Sequence, residues 1–451
     1  MTRTPLFAIA LAALSSTANA QLARITPNDA TNNDDFGTAV AIDGDLMLIG
    51  SGNDDNSGSI YLFEASTGLE LGKLVSPDNT PNARFGEAVD LDGNFAVVGA
   101  PRADPLGFLS GVAFILDISD PSQPTLLHTL QAADGASGAS FGLSVAIDGD
   151  TAIIGAPGLN AAYLFSVSTG QQLAKLQPAN FENNDGAGTA VEVQDGLAFV
   201  SSPFDDIQVA PFDTRSNAGS ITIFDISTPT APVQAVNFTT IEPTTADEFG
   251  YAMDVDGTTL VVGAPNANQI PTFVGNGAVF IVDITNPASP AQLFKVRADN
   301  PRTGADFGWS VSIDGSIILA GAPNGDAALT TNGLGYLLDA STGAQIVRLQ
   351  TDPLSPFTNR LGDTAAISDG IAALGAPLDG NSTLDPGAVY TFGAQSPCPG
   401  DASDDGIVDL ADLNLVLANF GTANSAGDAN GDGMVDLADL NLVLANFGVS
   451  C

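Results

Sequence analysis

The chain has 451 residues, 52 of them acidic and only 12 basic, with a formal net charge of -40. A surface so charged repels nucleic acid and anionic lipid and suits saline or calcium-rich surroundings, which excludes nucleic-acid binding and adhesion to anionic membranes. Two cysteines and a single histidine, with no closely spaced cysteine pair, give no basis for a zinc cluster or a redox dithiol.

Arg3 precedes an apolar run over 6–14 and then Ala18-Asn19-Ala20, the pattern of a secretory signal peptide cleaved after Ala20. The run is too short to span a bilayer, and no later stretch is long and apolar enough for a membrane helix. Residues 1–20 are therefore expected to be removed, leaving a protein without a membrane span. It is expected to be secreted, extracellular or held at the cell surface, with the periplasm as the alternative.

A unit of the form Phe-Gly-x-x-Val-x-x-Asp-Gly, followed by four apolar residues and Gly-Ala-Pro, then Gly and a second apolar run, recurs seven times. It starts at Phe36-Gly37, Phe85-Gly86, Phe141-Gly142, the degenerate Ala187-Gly188, Phe249-Gly250, Phe307-Gly308 and the degenerate Leu361-Gly362. Each unit reads as four short strands. In the first, 37–42 and 46–49 flank Asp43-Gly44-Asp45, a tight-hairpin signal, 59–63 is the third strand and 69–75 the fourth. The second and third strands are apolar on both sides, as in a sheet sandwiched between neighbours. The seventh unit supplies three strands, ending at Tyr390-Thr391-Phe392, whereas residues 21–27 resemble the fourth strand at 72–77. The fold class is therefore all-β, a seven-bladed propeller over 21–393 that the N-terminal strand closes, removing the exposed edges of an open array.

The Phe-Gly and Gly-Ala-Pro landmarks are similar to FG-GAP repeats, the unit of the seven-bladed propeller at the head of integrin α chains, and five of seven Phe-Gly pairs are intact. Integrin-type blades often carry an Asp-x-Asp-x-Asp-Gly calcium loop. No unit here has one, and Asp-Gly-Asp at 43–45 and 148–150 reads as a hairpin turn, so no metal is assigned to the propeller. The second-to-third connections are long and dissimilar, at 102–110, 204–218, 266–276, 324–332 and 378–386, and the connections between blades are long as well. Both sets emerge on one face, where a glycan or protein is expected to bind. Blade four carries the longest insertion, with Phe204, Asp205, Asp206, Phe212, Asp213 and Arg215, which reads either as a contact site or as a plain surface loop. Trp309 follows Phe-Gly in a core strand and reads as packing, with a sugar platform as the alternative. His128, in Leu-Leu-His-Thr-Leu, reads as outward-facing, and no nucleophile partner is in view for it.

After a linker at 394–400, the segment 401–451 contains Asp401-Ala-Ser-Asp-Asp-Gly-Ile-Val-Asp-Leu-Ala-Asp412 and again Asp428-Ala-Asn-Gly-Asp-Gly-Met-Val-Asp-Leu-Ala-Asp439, each followed by Leu-Asn-Leu-Val-Leu-Ala-Asn-Phe-Gly. An EF-hand-type loop supplies oxygens from positions 1, 3, 5, 7, 9 and 12, with Gly at the turn. One set is Asp401, Ser403, Asp405, the carbonyl of Ile407, Asp409 and Asp412. The other is Asp428, Asn430, Asp432, the carbonyl of Met434, Asp436 and Asp439. Two calcium ions are the expected cofactors, because like charges ~4 Å apart repel by ~1 kcal/mol in water and ~4 at an effective dielectric of 20. The alternative is an acidic turn that only caps a helix, which Asp409 can do.

Asp at position 12 and the lack of a helix before either loop resemble a type I dockerin, the duplicated loop-helix module by which secreted bacterial proteins plug into cohesin domains. That resemblance covers about 398–451 and implies a cohesin-like partner. Leu410, Leu413, Leu417 and Phe420 share a helical face suited to packing the two helices together. Ala411, Leu415 and Ala418, repeated as Ala438, Leu442 and Ala445, form a second stripe that reads as a partner surface, unless the module buries both faces itself. Cys398 and Cys451 bracket the module, and in an oxidising compartment a bond between them would clasp its ends, intermolecular pairing being the alternative. No residue is marked as catalytic. The expected function is a secreted binding or display protein with a calcium-dependent docking tail, and the rival is a polysaccharide-degrading glycoside hydrolase or lyase, which the dockerin resemblance implies.

Overall fold

The computed structural model describes residues 21–182, 184–269, 274–299, 304–325, 333–351, 359–380 and 386–393, and near the C-terminus 402, 408–422, 427, 429 and 434–448. Residues Gln21–Ala394 form one compact unit, and the C-terminal helices belong to another.

The first unit contains seven four-stranded antiparallel sheets. Blade one comprises Phe36–Asp43, Leu46–Ser51, Ser59–Glu64 and Leu69–Val75. Each blade's first strand packs against the first strand of the next, and the seventh packs against that of blade one, which closes the ring. Blade seven takes Thr364–Ser368, Ile371–Ala376 and Ala388–Gly393 from its own unit and Gln21–Ile25 from the other end of the chain, Ile25 opposite Val389. The ring is thus a seven-bladed propeller closed by its N-terminal strand. Two segments read as loops contain short hairpins, Ile207–Ala210 with Asp213–Arg215 in blade four and Asn268–Gln269 with Val274–Gly275 in blade five.

Second and third strands are buried almost throughout, as their two-sided apolar pattern requires, while fourth strands are half-exposed. The core lies between neighbouring sheets: Leu48 and Leu62 of blade one, for example, pack with Phe85, Val98 and Phe114 of blade two. The phenylalanine of each intact Phe-Gly pair is fully buried against the aromatic ring of its blade's third strand, as in Phe85–Phe114 at 5.3 Å and Phe249–Phe280 at 5.1 Å. Burying each such ring stabilises the fold by about 2–3 kcal/mol. Blade four has Ala187 and Thr222 in these two places.

The two glycine landmarks are two sides of one contact. Phe-Gly forms the centre of a turn in which Glu87 N–H donates to Arg84 O at 3.1 Å, and the third residue of such a turn needs the left-handed backbone that Gly86 adopts (φ +91°). The Gly142 N–H donates to Gly155 O of its own blade at 2.9 Å. Gly99 of the preceding blade lies against the Gly142 carbonyl, which an added Cβ would meet at 1.9 Å.

Scarce cations serve the outer strands. Lys73, Lys175, Lys295, Arg348 and Arg24 stand opposite an aromatic residue of the third strand, Tyr61, Tyr163, Phe280, Tyr336 and Tyr390 respectively. Lys73 lies 4.9 Å from the Tyr61 ring centre and pairs with Asp29, Asp54 and Asp55 at 2.7 Å each.

In the C-terminal unit, α1 (Leu410–Asn419) and α2 (Leu437–Ala445) pack on a small core of Val408, Val416, Val435 and Val443, flanked by Leu413 and Leu440. This corrects the expected packing stripe. Of its four members only Leu413 reaches the core, whereas Leu410, Leu417 and Phe420 are 63%, 54% and 45% exposed. The packed face is rotated by one residue, so that Val416 and Val443 are fully buried where Leu417 and Leu444 stay exposed.

Candidate functional site

The first strand of a blade starts, and the second strand ends, on the face that carries the long connections, so the Phe-Gly turns ring the mouth of the channel there. The residue before each turn is left-handed in every blade, including the non-glycine residues Asp35, Arg84, Ser140, Glu248, Asp306 and Arg360. Such backbone costs a non-glycine residue on the order of 1 kcal/mol, and here the turn's hydrogen bond imposes it repeatedly. It directs a charged collar around the opening. Arg84 pairs with Glu87 at 2.9 Å and Asp35 at 3.6 Å, Arg360 pairs with Asp363, and Asp306 accepts from Asn324 Nδ2 at 2.6 Å. Burial raises the carboxyls of Glu248, Asp306 and Asp363 above the ordinary range and pushes the Tyr251 hydroxyl up to about 12.

Trp309 sits in this collar between Tyr251 of the preceding blade (4.7 Å) and Arg360 of the following one (5.4 Å). Neighbours on both sides make it a packing residue. His128 packs against Gly170 of the next blade, its Nε2 3.2 Å from Ser168 O.

Above the collar, the blade-four insertion raises its hairpin. Phe212 is fully exposed at its tip with a left-handed backbone (φ +66°), beside an Asp213–Arg215 ion pair. Asp205, by contrast, is a buried anchor: it accepts from Ser220 Oγ at 2.6 Å, and burial raises its carboxyl. Asp206 accepts from Asn217 N–H at 2.8 Å, and Phe204 is partly exposed.

Inside the ring, a channel of about 270 Å³ is lined by residues of all seven first strands, including Asp90, Glu192 and Asp254. These three residues are half-buried and border the channel. Burial pushes Asp90 up to about 7, partly opposed by the N–H groups of Ile147 and Leu91, and drives Glu192 and Asp254 upward too. Sequence reading missed this cluster and the collar, since both exist only once the units are set in a ring.

Of the expected calcium ligands, Asp401, Ser403, Asp405, Ile407, Asp428, Asn430 and Asp432 lie outside the described residues, as do Cys398 and Cys451. The remainder sit at the two helix starts. Asp409 accepts from Ala411 N–H at 2.6 Å while Asp412 accepts from Asp409 N–H at 2.7 Å, and Asp436 with Asp439 repeats the arrangement at 2.7 Å and 2.7 Å. Each pair is a capping box. Asp412 and Asp439 are fully buried, and Met434 is 47% exposed. No Lys, Arg or His occurs anywhere in 394–451. The donor set is therefore hard oxygen throughout, which fits calcium. Of the expected partner stripe, Ala411, Ala418, Ala438 and Ala445 are exposed and Leu415 and Leu442 half-buried.

A closed ring of seven like sheets with its variable loops gathered on one face is a repeat propeller built for presenting a surface. The FG-GAP repeat model matches residues 20–63, 69–116, 125–165, 233–282 and 291–338, just over half of the chain, and the chain belongs to this family. The LVIVD repeat model matches 111–131, 216–240 and 272–297, the outer strands of blades two, four and five. No curated protein matches the chain.

Proposed function

We propose that this is a secreted binding or display protein: the propeller recognises a glycan or protein with its long-loop face, and the C-terminal unit is a dockerin-like plug that docks to a cohesin-like partner when calcium is bound. The FG-GAP propeller supports a binding role, because recognition residues concentrate on variable loops held by a rigid scaffold. Exposed Phe212 at the tip of the longest insertion favours that face.

The observation that carries the docking half is the burial of Asp412 and Asp439 in a segment, 394–451, without a single basic residue. Burying a carboxylate costs several kcal/mol even where a backbone N–H bonds it, and a calcium ion would offset that cost with an opposite charge. Asp401, Ser403, Asp405, Ile407 O, Asp409 and Asp412 would hold one ion, and Asp428, Asn430, Asp432, Met434 O, Asp436 and Asp439 the other. The docking surface would combine the alanine-rich stripes with the leucines and phenylalanines exposed beside them. A Cys398–Cys451 bond would clasp the ends of the unit.

The test is circular dichroism of a 394–451 fragment. Calcium should raise its helical signal, and Asp405→Ala with Asp432→Ala should abolish the response; a spectrum indifferent to chelation contradicts the reading. Released reducing ends or unsaturated products after incubation with a polysaccharide panel would overturn the binding role in favour of a glycoside hydrolase or lyase.

A further inference from the structure

The second-to-third connection of blade three is a single tight turn, Pro157–Leu159, whereas blades two and four on either side carry 102–110 and the 204–218 insertion. Blade three is thus a low step between two tall ones. A chain of contacts crosses it. Phe108 O accepts from Gly138 N–H at 2.8 Å, Gly158 lies against the Gly138 carbonyl, Asn160 Oδ1 accepts from Gly186 N–H at 2.9 Å, and Gly186 lies against the Phe204 ring. An added Cβ at Gly158 would meet the Gly138 carbonyl at 1.8 Å, so the floor of this strip stays bare there.

All four exposed phenylalanines among the described propeller residues stand along the strip. Phe108 (71% exposed) is on the blade-two side, Phe181 is in the connection from blade three to blade four, and Phe204 and the fully exposed Phe212 are on the blade-four side. Leu106 and Val209 are exposed beside them. Large apolar side chains gathered in one sector of a face, instead of scattered over it, mark an interaction surface.

The sector is also negative. Acids outnumber bases six to two in 102–110, 178–189 and 204–218, and one of the two bases, Arg215, is already paired with Asp213. Burial raises the carboxyls of Asp185 and Asp205, and the neighbouring charges of Glu182 and Asp206 raise them further. Cationic groups around an apolar centre are what such a surface complements. Phenylalanine offers the hydroxyls of a sugar no hydrogen-bond partner, and a second copy of this chain would bring its own negative charge.

We propose that the strip across blades two to four binds a protein segment whose apolar side chains are interspersed with lysine or arginine, with Phe108 on one side of it and Phe204 and Phe212 on the other. This rests on the reading of the long-loop face as a recognition surface, and it narrows the ligand of that face to a basic, apolar protein segment.

Fluorescence anisotropy with the full-length chain tests this. The probes are a labelled amphipathic peptide of leucine and lysine, its serine-and-lysine analogue of equal charge, and its leucine-and-glutamate analogue. The first should bind about tenfold more tightly than either of the others. Phe108→Ser with Phe212→Ser should abolish that preference, whereas Leu69→Ser, at an exposed hairpin on the opposite face, should leave it unchanged. All three side chains are exposed, and circular dichroism checks that each variant keeps its fold. Equal binding of the three peptides, or equal affinity in parent and double variant, overturns the proposal. A polysaccharide that binds the parent but not the double variant overturns it too, while upholding the face as a recognition surface.

Discussion

The carboxylate of Asp92, at the hairpin of blade two, accepts a hydrogen bond from the backbone N–H of Gly149, 57 residues later in the hairpin of blade three, at 2.7 Å. The same bond joins Asp43 to Gly93, Asp148 to Asp195, Asp256 to Gly315 and Asp314 to Asp369, and Ser368 Oγ accepts from Gly44 across the closure. The aspartate of the Asp-Gly hairpin is thus a staple to the next blade as well as a turn residue. Asp92→Ala should lower stability by about 1 kcal/mol, since the bond is partly exposed, and should leave the secondary structure intact. Urea unfolding with an unchanged slope is the check.

Closure of the ring depends on a second pair. Arg24 in the N-terminal strand meets Asp379 of blade seven at 2.6 Å, and that carboxylate is only 3% exposed. Arg24→Ala leaves Asp379 with the Tyr390 hydroxyl (3.0 Å) as its remaining side-chain partner among the described residues. The loss should be about 2 kcal/mol, because the buried Asp379 carboxylate is left without its cation, a cost moderated by the exposure of Arg24. Thermal unfolding should show it, together with faster proteolysis ahead of blade one.

Blade four gives a pH prediction. Burial raises the Asp205 carboxyl above 3.8, its unfolded value, so the folded chain binds that proton more tightly than the unfolded one. Stability contributed by this group is therefore full below 3.8 and falls as pH rises through the raised folded value. Asp205→Asn cannot titrate and still offers an oxygen to Ser220. Its urea midpoint relative to the parent should climb between pH 4 and pH 7; a constant offset would contradict the assignment.

Much of the propeller is legible in the sequence because its landmarks are backbone requirements: a left-handed glycine at Gly86 and a close approach at Gly99 admit almost no other residue. The strand at 21–27 could be placed by its likeness to 72–77. The role of Asp92 could not, since the partner of a hairpin carboxylate lies in another blade and leaves no mark on local spacing. Asp90, Glu192 and Asp254 are equally silent until the ring superposes their units. In α1 the sequence Leu-Ala-Asp-Leu-Asn-Leu-Val-Leu-Ala-Asn is apolar on most sides, so the helical wheel alone does not choose between the face with Leu417 and the face with Val416.

Hydrogen–deuterium exchange on the full-length chain, in calcium and after chelation, tests the docking account most directly. Amides of Leu410–Asn419 and Leu437–Ala445 should lose protection when calcium is removed, while strands such as Leu46–Ser51 keep theirs. Helices equally protected with and without calcium would contradict it.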